Sequence, residues 1–199
     1  AKTRSHPILG PALAAGGYLL GSVSFGLLAA RRRGVDLRAV GSGNVGATNV
    51  SRALGRRSGR AVLALDAAKG TVPALAARIG LGADDPWTAA TGVAAVLGHC
   101  YPIWHRLHGG KGAATAAGVM LALSPPAGLA AAATYVGLKK ATRRASVGSL
   151  GGAAVGAAAA RLLHGATPRA WMAAGILGVV ALRHRDNIAR LLRGEEPPT

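Results

Sequence analysis

Two glycine-rich stretches carry the residues best suited to chemistry. The first is GSGNVGATN at 41–49, followed by Arg52; the second is HGGKGAAT at 108–115. Glycines without side chains let successive backbone N–H groups converge on an anion, forming a nest for phosphate. Arg52 and Lys111 would supply charge, the arginine as a bidentate clamp. Further along, Ser146 and Ser149 open an apolar run, and His184 and Asn187 lie three apart after the last one, on one expected helical face. Gly41, Gly43 and Gly46 also fit the dinucleotide fingerprint G-x-G-x-x-G, with Asp66 twenty positions after Gly46. That reading needs a βαβ unit of about 30 residues around the motif. Here the motif stands between two apolar runs, and Asp66 falls inside the second. The HGGKGAAT stretch is not a Walker A loop, because His105 stands where its first glycine would be and Gly112 where its Ser/Thr would be. In RHRDN at 183–187 the Asn is too close for a kinase catalytic loop. No metal site is expected, since the six histidines are scattered and HExxH is absent. His105 and His108, near Lys111, suit an interfacial role.

The elements that must position these residues are apolar and helical. Residues 8–30 hold 23 residues without a charge, long enough to cross a bilayer core of about 20 residues. A signal peptide is the competing reading, with Lys2 and Arg4 ahead and Ala12-Leu13-Ala14 resembling a cleavage site. The run continues well past Ala14, however, and Arg31-Arg32-Arg33 closes it like a stop-transfer flank. Further apolar runs cover 61–79, 87–104, 113–138, 145–160 and 170–182, with Pro125-Pro126 breaking the fourth. One span at 113–138 gives six crossings. Two spans, 113–124 and 126–138, give seven. Basic residues choose between them, because cytoplasmic loops of membrane proteins are enriched in Lys and Arg. Seven spans with the N-terminus outside and the C-terminus cytoplasmic put 18 of the 24 Lys and Arg inside. The expected fold is therefore an all-α integral membrane protein of seven transmembrane helices in one polytopic domain over 1–199. Segments 41–52, 109–112, 146–149 and 184–187 would then converge on the cytoplasmic face.

The formal charge of +17 and pI near 11.8 raise nucleic acid as a partner. The basic residues flank apolar runs instead, and no nucleic-acid-binding motif accompanies them, so membrane lipid is the expected partner. Asp66 and Lys69 share one face of a helix. Inside a span they must be paired and face the bundle interior. Gly148, Gly152 and Gly156 recur every four residues, a ridge for close helix packing. A single cysteine, Cys100, excludes an internal disulfide.

GSVSFG (21–26), GSGNVGATNVSR (41–52), LDAAKG (65–70), GHCYP (98–102) and HGGKGAAT (108–115) occur in order at fitting spacings. Together they resemble the bacterial acyl-phosphate:glycerol-3-phosphate acyltransferases, along essentially the whole chain. The resemblance implies a seven-helix plasma-membrane enzyme with a cytoplasmic-facing site. It implies transfer of a fatty acyl group from acyl phosphate to the 1-hydroxyl of glycerol 3-phosphate, giving lysophosphatidic acid and phosphate. Neither coenzyme A nor acyl carrier protein is then the direct donor, and no cofactor is needed. No histidine here has an aspartate five residues later, so the HxxxxD acyltransferase motif is absent. By motif, Ser42, Arg52, Lys111, Ser146, His184 and Asn187 are expected to bind glycerol 3-phosphate, the last five also as catalytic residues. Gly43, Asn44, Gly46, Thr48, Asn49, Gly109, Gly110 and Gly112 are expected to cradle acyl phosphate. The flanks of Ser146, ATRRASVGSL, are more basic than the family pattern. The expected mechanism is substrate-assisted, with a donor phosphate oxygen taking the hydroxyl proton; His184 as general base is the alternative. Outside this class, a small transporter of phosphorylated anions or a nicotinamide enzyme would share parts of the pattern.

Overall fold

The computed structural model describes residues 7–199; Lys2, Arg4 and His6 lie outside the described residues. Every regular element among the described residues is helical. The first apolar run forms α1 (Leu9–Gly21) and α2 (Phe25–Arg31), separated by a break at 22–24. Then come α3 (Ala47–Leu54), α4 (Arg56–Leu81) and α5 (Pro86–Cys100), followed by a single 3-10 turn at Ile103–His105. The chain continues through α6 (Ala113–Leu123), α7 (Pro125–Thr142), α8 (Ala145–His164), α9 (Pro168–Arg183) and α10 (Arg185–Leu192).

Local chemistry explains several boundaries. Asp85 caps α5, its carboxylate accepting the Trp87 N–H at 2.8 Å, with Pro86 at the first helical position. Pro125 opens α7 in the same way. The Pro-Pro sequence therefore divides the fourth apolar run into two helices, as expected, and Gly128 packs on the backbone of Met120 and Leu121 across the break.

α3 was not expected, since it lies in a segment read as loop, whereas α10 forms where His184 and Asn187 were expected on one helical face. Both helices are short and amphipathic, with Val50 and Asn187 on their buried sides. The stretch read as one glycine loop is thus a loop only as far as Gly46. Thr48, Asn49 and Arg52 are helical.

The burial pattern is inverted relative to a protein in water. On α4, Leu63, Leu65, Val72, Leu75 and Ile79 are exposed, whereas Asp66 and Lys69 are each only 3% accessible. Leu129, Val136, Leu162 and Trp171 likewise face outward on later helices. Such a surface suits lipid as solvent, where backbone groups must be satisfied within helices. By length and composition, two helical stretches among the described residues are long and apolar enough to span a bilayer, Leu9–Arg31 and Ala145–His164. The interior is small-residue packing around Val96, Val119, Leu123, Met172, Ile176 and Val180. The glycine ridge on α8 lies against α7 as expected: a side chain at Gly148 or Gly152 would run into the carbonyls of Tyr135 and Ala131.

Candidate active site

Four segments meet where the helix bundle ends in basic loops. Gly41 and Gly43 take positive φ, 60° and 65°, a backbone that residues with a Cβ rarely adopt. This turns the chain back towards α3, where Asn49 closes the loop. Both Asn49 Nδ2 hydrogens are donated to backbone carbonyls, of Leu37 at 3.0 Å and Val40 at 2.9 Å. Its Oδ1 accepts the Ser42 N–H at 3.1 Å. Asn49 is buried and has no donor left for a ligand, so it shapes the loop from beneath.

The second loop is bolted down as well. The N–H groups of Gly109 and Gly110 donate to the carbonyls of Cys100 and His99, each at 3.1 Å. Their own carbonyls accept from Arg183, at 3.0 and 3.1 Å, and that guanidinium lies 5.0 Å from the Tyr101 ring centre. The expected nest of N–H groups at Gly109-Gly110 is therefore turned inward, toward α5. What this loop presents instead is Lys111, then Gly112 at φ 82° leading into the first turn of α6.

A cavity of about 360 Å³ lies between the two loops. It brings together Ser42, Gly43, Asn44, Gly109, Lys111 and Asn187, along with Arg38, Arg183, Arg185 and Arg190. Lys111 Nζ donates to Asn187 Oδ1 at 2.6 Å. Arg52, Gly46, Thr48, Asn49, Gly110, Gly112, Ser146 and His184 do not line it. Ser146 and Arg52 are instead held by the C-terminal segment. Ser146 Oγ donates to Glu196 Oε1 at 2.7 Å, and Arg52 donates to the Pro198 carbonyl at 2.8 Å.

Electrostatics set the protonation states. His184 is 3% accessible. Burial pushes it down to about 4, and the nearby Lys111 charge adds to that effect. It is therefore neutral near pH 7. Its Nδ1 lies 2.8 Å from the Val180 carbonyl, which assigns the proton to Nδ1 and leaves the lone pair on Nε2. Burial also lowers Lys111, while Glu196 pulls it back up. Burial raises Glu196, but hydrogen bonds from Ser146, Asn187 and Arg190 outweigh it and hold the carboxyl below the ordinary glutamate range.

A scan of known families matches the glycerol-3-phosphate acyltransferase model over residues 11–194. A glycerol-3-phosphate acyltransferase of Anaeromyxobacter sp. (strain Fw109-5) is 49% identical, covering 96% of this chain and 97% of its own. That of Geobacter sulfurreducens is 49% identical, covering 92% of this chain and 94% of its own. The chain belongs to the glycerol-3-phosphate acyltransferase family. Within that family, the integral membrane acyltransferase PlsY, solved in a glycerol 3-phosphate form, superposes with a TM-score of 0.93 at 42% identity, over 96% of both chains. Its lysophosphatidic acid form gives 0.90 at 41%, covering 96% of this chain and 95% of its own.

Set in this acyltransferase fold, Glu196 is the residue that sequence reasoning missed. Its Oε1 accepts from both Ser146 and Asn187 (2.6 Å), its Oε2 from Arg190 Nε (2.8 Å), and its carbonyl from Arg144 (2.8 Å). One carboxylate thus joins the start of α8 to α10. A signal was available: an acidic residue is rare here, 7 against 24 basic, and Glu196 lies nine positions after Asn187. Arg183 and Arg38 were also passed over, having been counted only as loop charge. Arg38 donates to the His108 carbonyl at 3.0 Å, linking the two glycine loops across the cavity mouth.

Proposed function

We propose that this chain transfers a fatty acyl group from acyl phosphate to the 1-hydroxyl of glycerol 3-phosphate, releasing lysophosphatidic acid and inorganic phosphate. The observation that carries this reading is the cavity between two glycine-rich loops, walled by Lys111, four arginines and Asp186 and set at the end of an apolar-surfaced bundle. Two phosphate-bearing substrates repel each other, and cations on both sides offset that repulsion. The lipid-like donor would reach the cavity from the bilayer, and the water-soluble acceptor from solvent. We further propose one polytopic domain of seven spans over 1–199 in the bacterial plasma membrane, with the N-terminus outside and the cavity facing the cytoplasm.

In this reading, Lys111 and Ser42, at the cavity, hold the phosphate of glycerol 3-phosphate and Asn187 orients its glycerol, with Arg52, Ser146 and His184 acting from outside the cavity lining. Asn44 faces the donor phosphate from the cavity wall, with the first turn of α3, from Gly46 to Thr48, behind it and Asn49 fixing the loop. Gly109, Gly110 and Gly112 set the backbone that aims Lys111. The 1-hydroxyl oxygen attacks the acyl carbonyl carbon. The tetrahedral adduct collapses by breaking the bond from that carbon to the phosphate oxygen, and phosphate departs with the hydroxyl proton. Acyl phosphate is an activated anhydride, so orientation and charge stabilisation can supply the rate without a covalent enzyme intermediate.

His184 as general base is the second reading, favoured by its bare Nε2. A group held down to about 4 is a weak base at neutral pH, which favours the donor phosphate as proton acceptor. The test is glycerol-3-phosphate-dependent phosphate release from palmitoyl phosphate by the full chain in nanodiscs. Palmitoyl-coenzyme A as sole donor should give no product. Phosphate flux into vesicles without acyl transfer would instead indicate a transporter. For His184→Gln, substrate-assisted chemistry keeps the pH profile of the parent, whereas loss of a limb titrating near pH 4 with substrate affinity intact assigns the base to His184.

A further inference from the structure

Beneath the two glycine loops lies a buried ionic cluster that the proposed chemistry does not use. Asp66 and Lys69, one turn apart on α4, pair at 3.0 Å, and His99 Nδ1 of α5 stands 3.7 Å from the same Asp66 oxygen. All three are buried among apolar helices. Ions in such a place are expensive, and apolar residues of similar volume often replace a buried pair without loss of stability. The cluster therefore calls for a reason other than packing.

Its contacts supply one. Lys69 Nζ donates to the Val23 carbonyl at 2.7 Å, in the break between α1 and α2, and lies 5.8 Å from the Phe25 ring centre. In the first turn of α2, Gly26 lies so close to the Val45 carbonyl that a Cβ would not fit. Lys69 thus fixes the segment on which the first glycine loop rests. On the other side, His99 supports the second loop. Its carbonyl accepts the Gly110 N–H, and its imidazole fills the space where a Gly110 side chain would point. One ionic cluster reaches both loops through two different neighbours.

We propose that Asp66, Lys69 and His99 form a positioning network that sets the separation of the two glycine loops, and so the alignment of donor and acceptor. None of the three touches substrate. This rests on the acyltransferase reading above. Alignment enters kcat more than binding, since each loop can still hold its own phosphate when the distance between them changes.

The test uses the full chain in nanodiscs with palmitoyl phosphate and glycerol 3-phosphate. Asp66→Leu/Lys69→Met removes both charges together, so no lone ion remains in the bundle. The expected result is a folded protein whose kcat falls at least about tenfold while both KM values stay within about threefold. A folded double variant with kcat within twofold of the parent overturns the proposal. The charge-swapped Asp66→Lys/Lys69→Asp keeps an ion pair in place but takes the carboxylate from His99. It should fold and remain as slow, and parental kcat here also overturns the network. If neither folds, His99→Ala decides, with a tenfold loss of kcat expected and full activity overturning the idea. An inactive parent would instead refute the acyltransferase reading, whereas an active parent with equally active variants refutes the network alone.

Discussion

Two charged networks lie one above the other in this molecule, and they are built for different tasks. The lower one, Asp66–Lys69–His99, is closed off between helices: Lys69 pairs with Asp66 and donates to the Val23 carbonyl, while His99 Nδ1, 3.7 Å from Asp66, has no hydrogen-bond partner among the described residues. The upper one, Lys111–Asn187–Glu196 with Ser146 and Arg190, lies beside an open cavity and joins residues far apart in the chain. The lower network draws its partners from α4, α5 and the break between α1 and α2. The upper one draws on the second glycine loop, two helix starts and the tail, and its Lys111 and Arg190 line the cavity. Burial strengthens the interactions in both layers and makes each unpaired group costly, since Ser146, Asn187 and Glu196 are buried too; what the upper layer turns toward the cavity is Lys111 and Arg190. Rigidity and ligand exchange are thus divided between two layers.

Breaking one partner in each layer should separate them. Asp66→Asn alone strands the buried Lys69 charge, and a loss on the order of 3–5 kcal/mol in unfolding free energy is expected, read by thermal or denaturant unfolding in detergent. Lys111→Ala should leave the melting profile close to that of the parent and lower kcat/KM by about 10²–10³-fold, read in the phosphate-release assay. Glu196→Ala lies between these. It leaves Ser146, Asn187 and Arg190 without their shared acceptor, and a cost of about 1–3 kcal/mol is expected, together with faster proteolysis of the C-terminal segment.

Acid should act on the upper layer from the same side at two groups. His184 is held neutral, with a folded value near 4 against an ordinary value near 6.5. The unfolded chain therefore takes up its proton first. Full stability is present above about 6.5 and declines as pH falls toward 4. Glu196 is also depressed, so its contribution is present above the ordinary glutamate value and is lost as pH falls through its lower folded value. Melting temperature measured from pH 7 to pH 4 should fall in the parent and more gently in His184→Gln. The smallest effect belongs outside both layers. Asp84 and Arg169 pair at 2.7 Å on the surface, and Asp84→Asn should cost no more than about 1 kcal/mol and leave activity unchanged.

Much of this could be read in the residues alone. The apolar runs at 61–79, 113–124, 126–138, 145–160 and 170–182 correspond to α4, α6, α7, α8 and α9, because long apolar stretches have few alternatives to helix in lipid. The Pro125-Pro126 break and the α8 glycine ridge were local signals and hold in three dimensions. The helix that escaped is short. α3 has eight residues, too few to stand out from loop by periodicity, and it forms because packing against the bundle supports it.

The site divides along the same line. Ser42, Gly43, Asn44, Gly109, Lys111 and Asn187 were legible as types that hold phosphate, and they share one cavity. Asn49 and the Gly109-Gly110 amides were expected to face a ligand, yet their hydrogen bonds run inward. Direction of a donor depends on which carbonyl lies nearby, and that carbonyl came from Leu37, Val40, His99 or Cys100, on the neighbouring loop and helix. Sequence by itself determined the solvent, the helical class and the residue types around the cavity, because hydrophobic run length and positive charge at their ends act locally. Only the tertiary structure decided which amides remain free, that Glu196 ties Ser146 to Asn187, and that Lys69 and His99 brace separate loops. Those choices depend on distances between segments as far apart as Ser146 and Glu196, 50 residues along the chain, which no local pattern encodes.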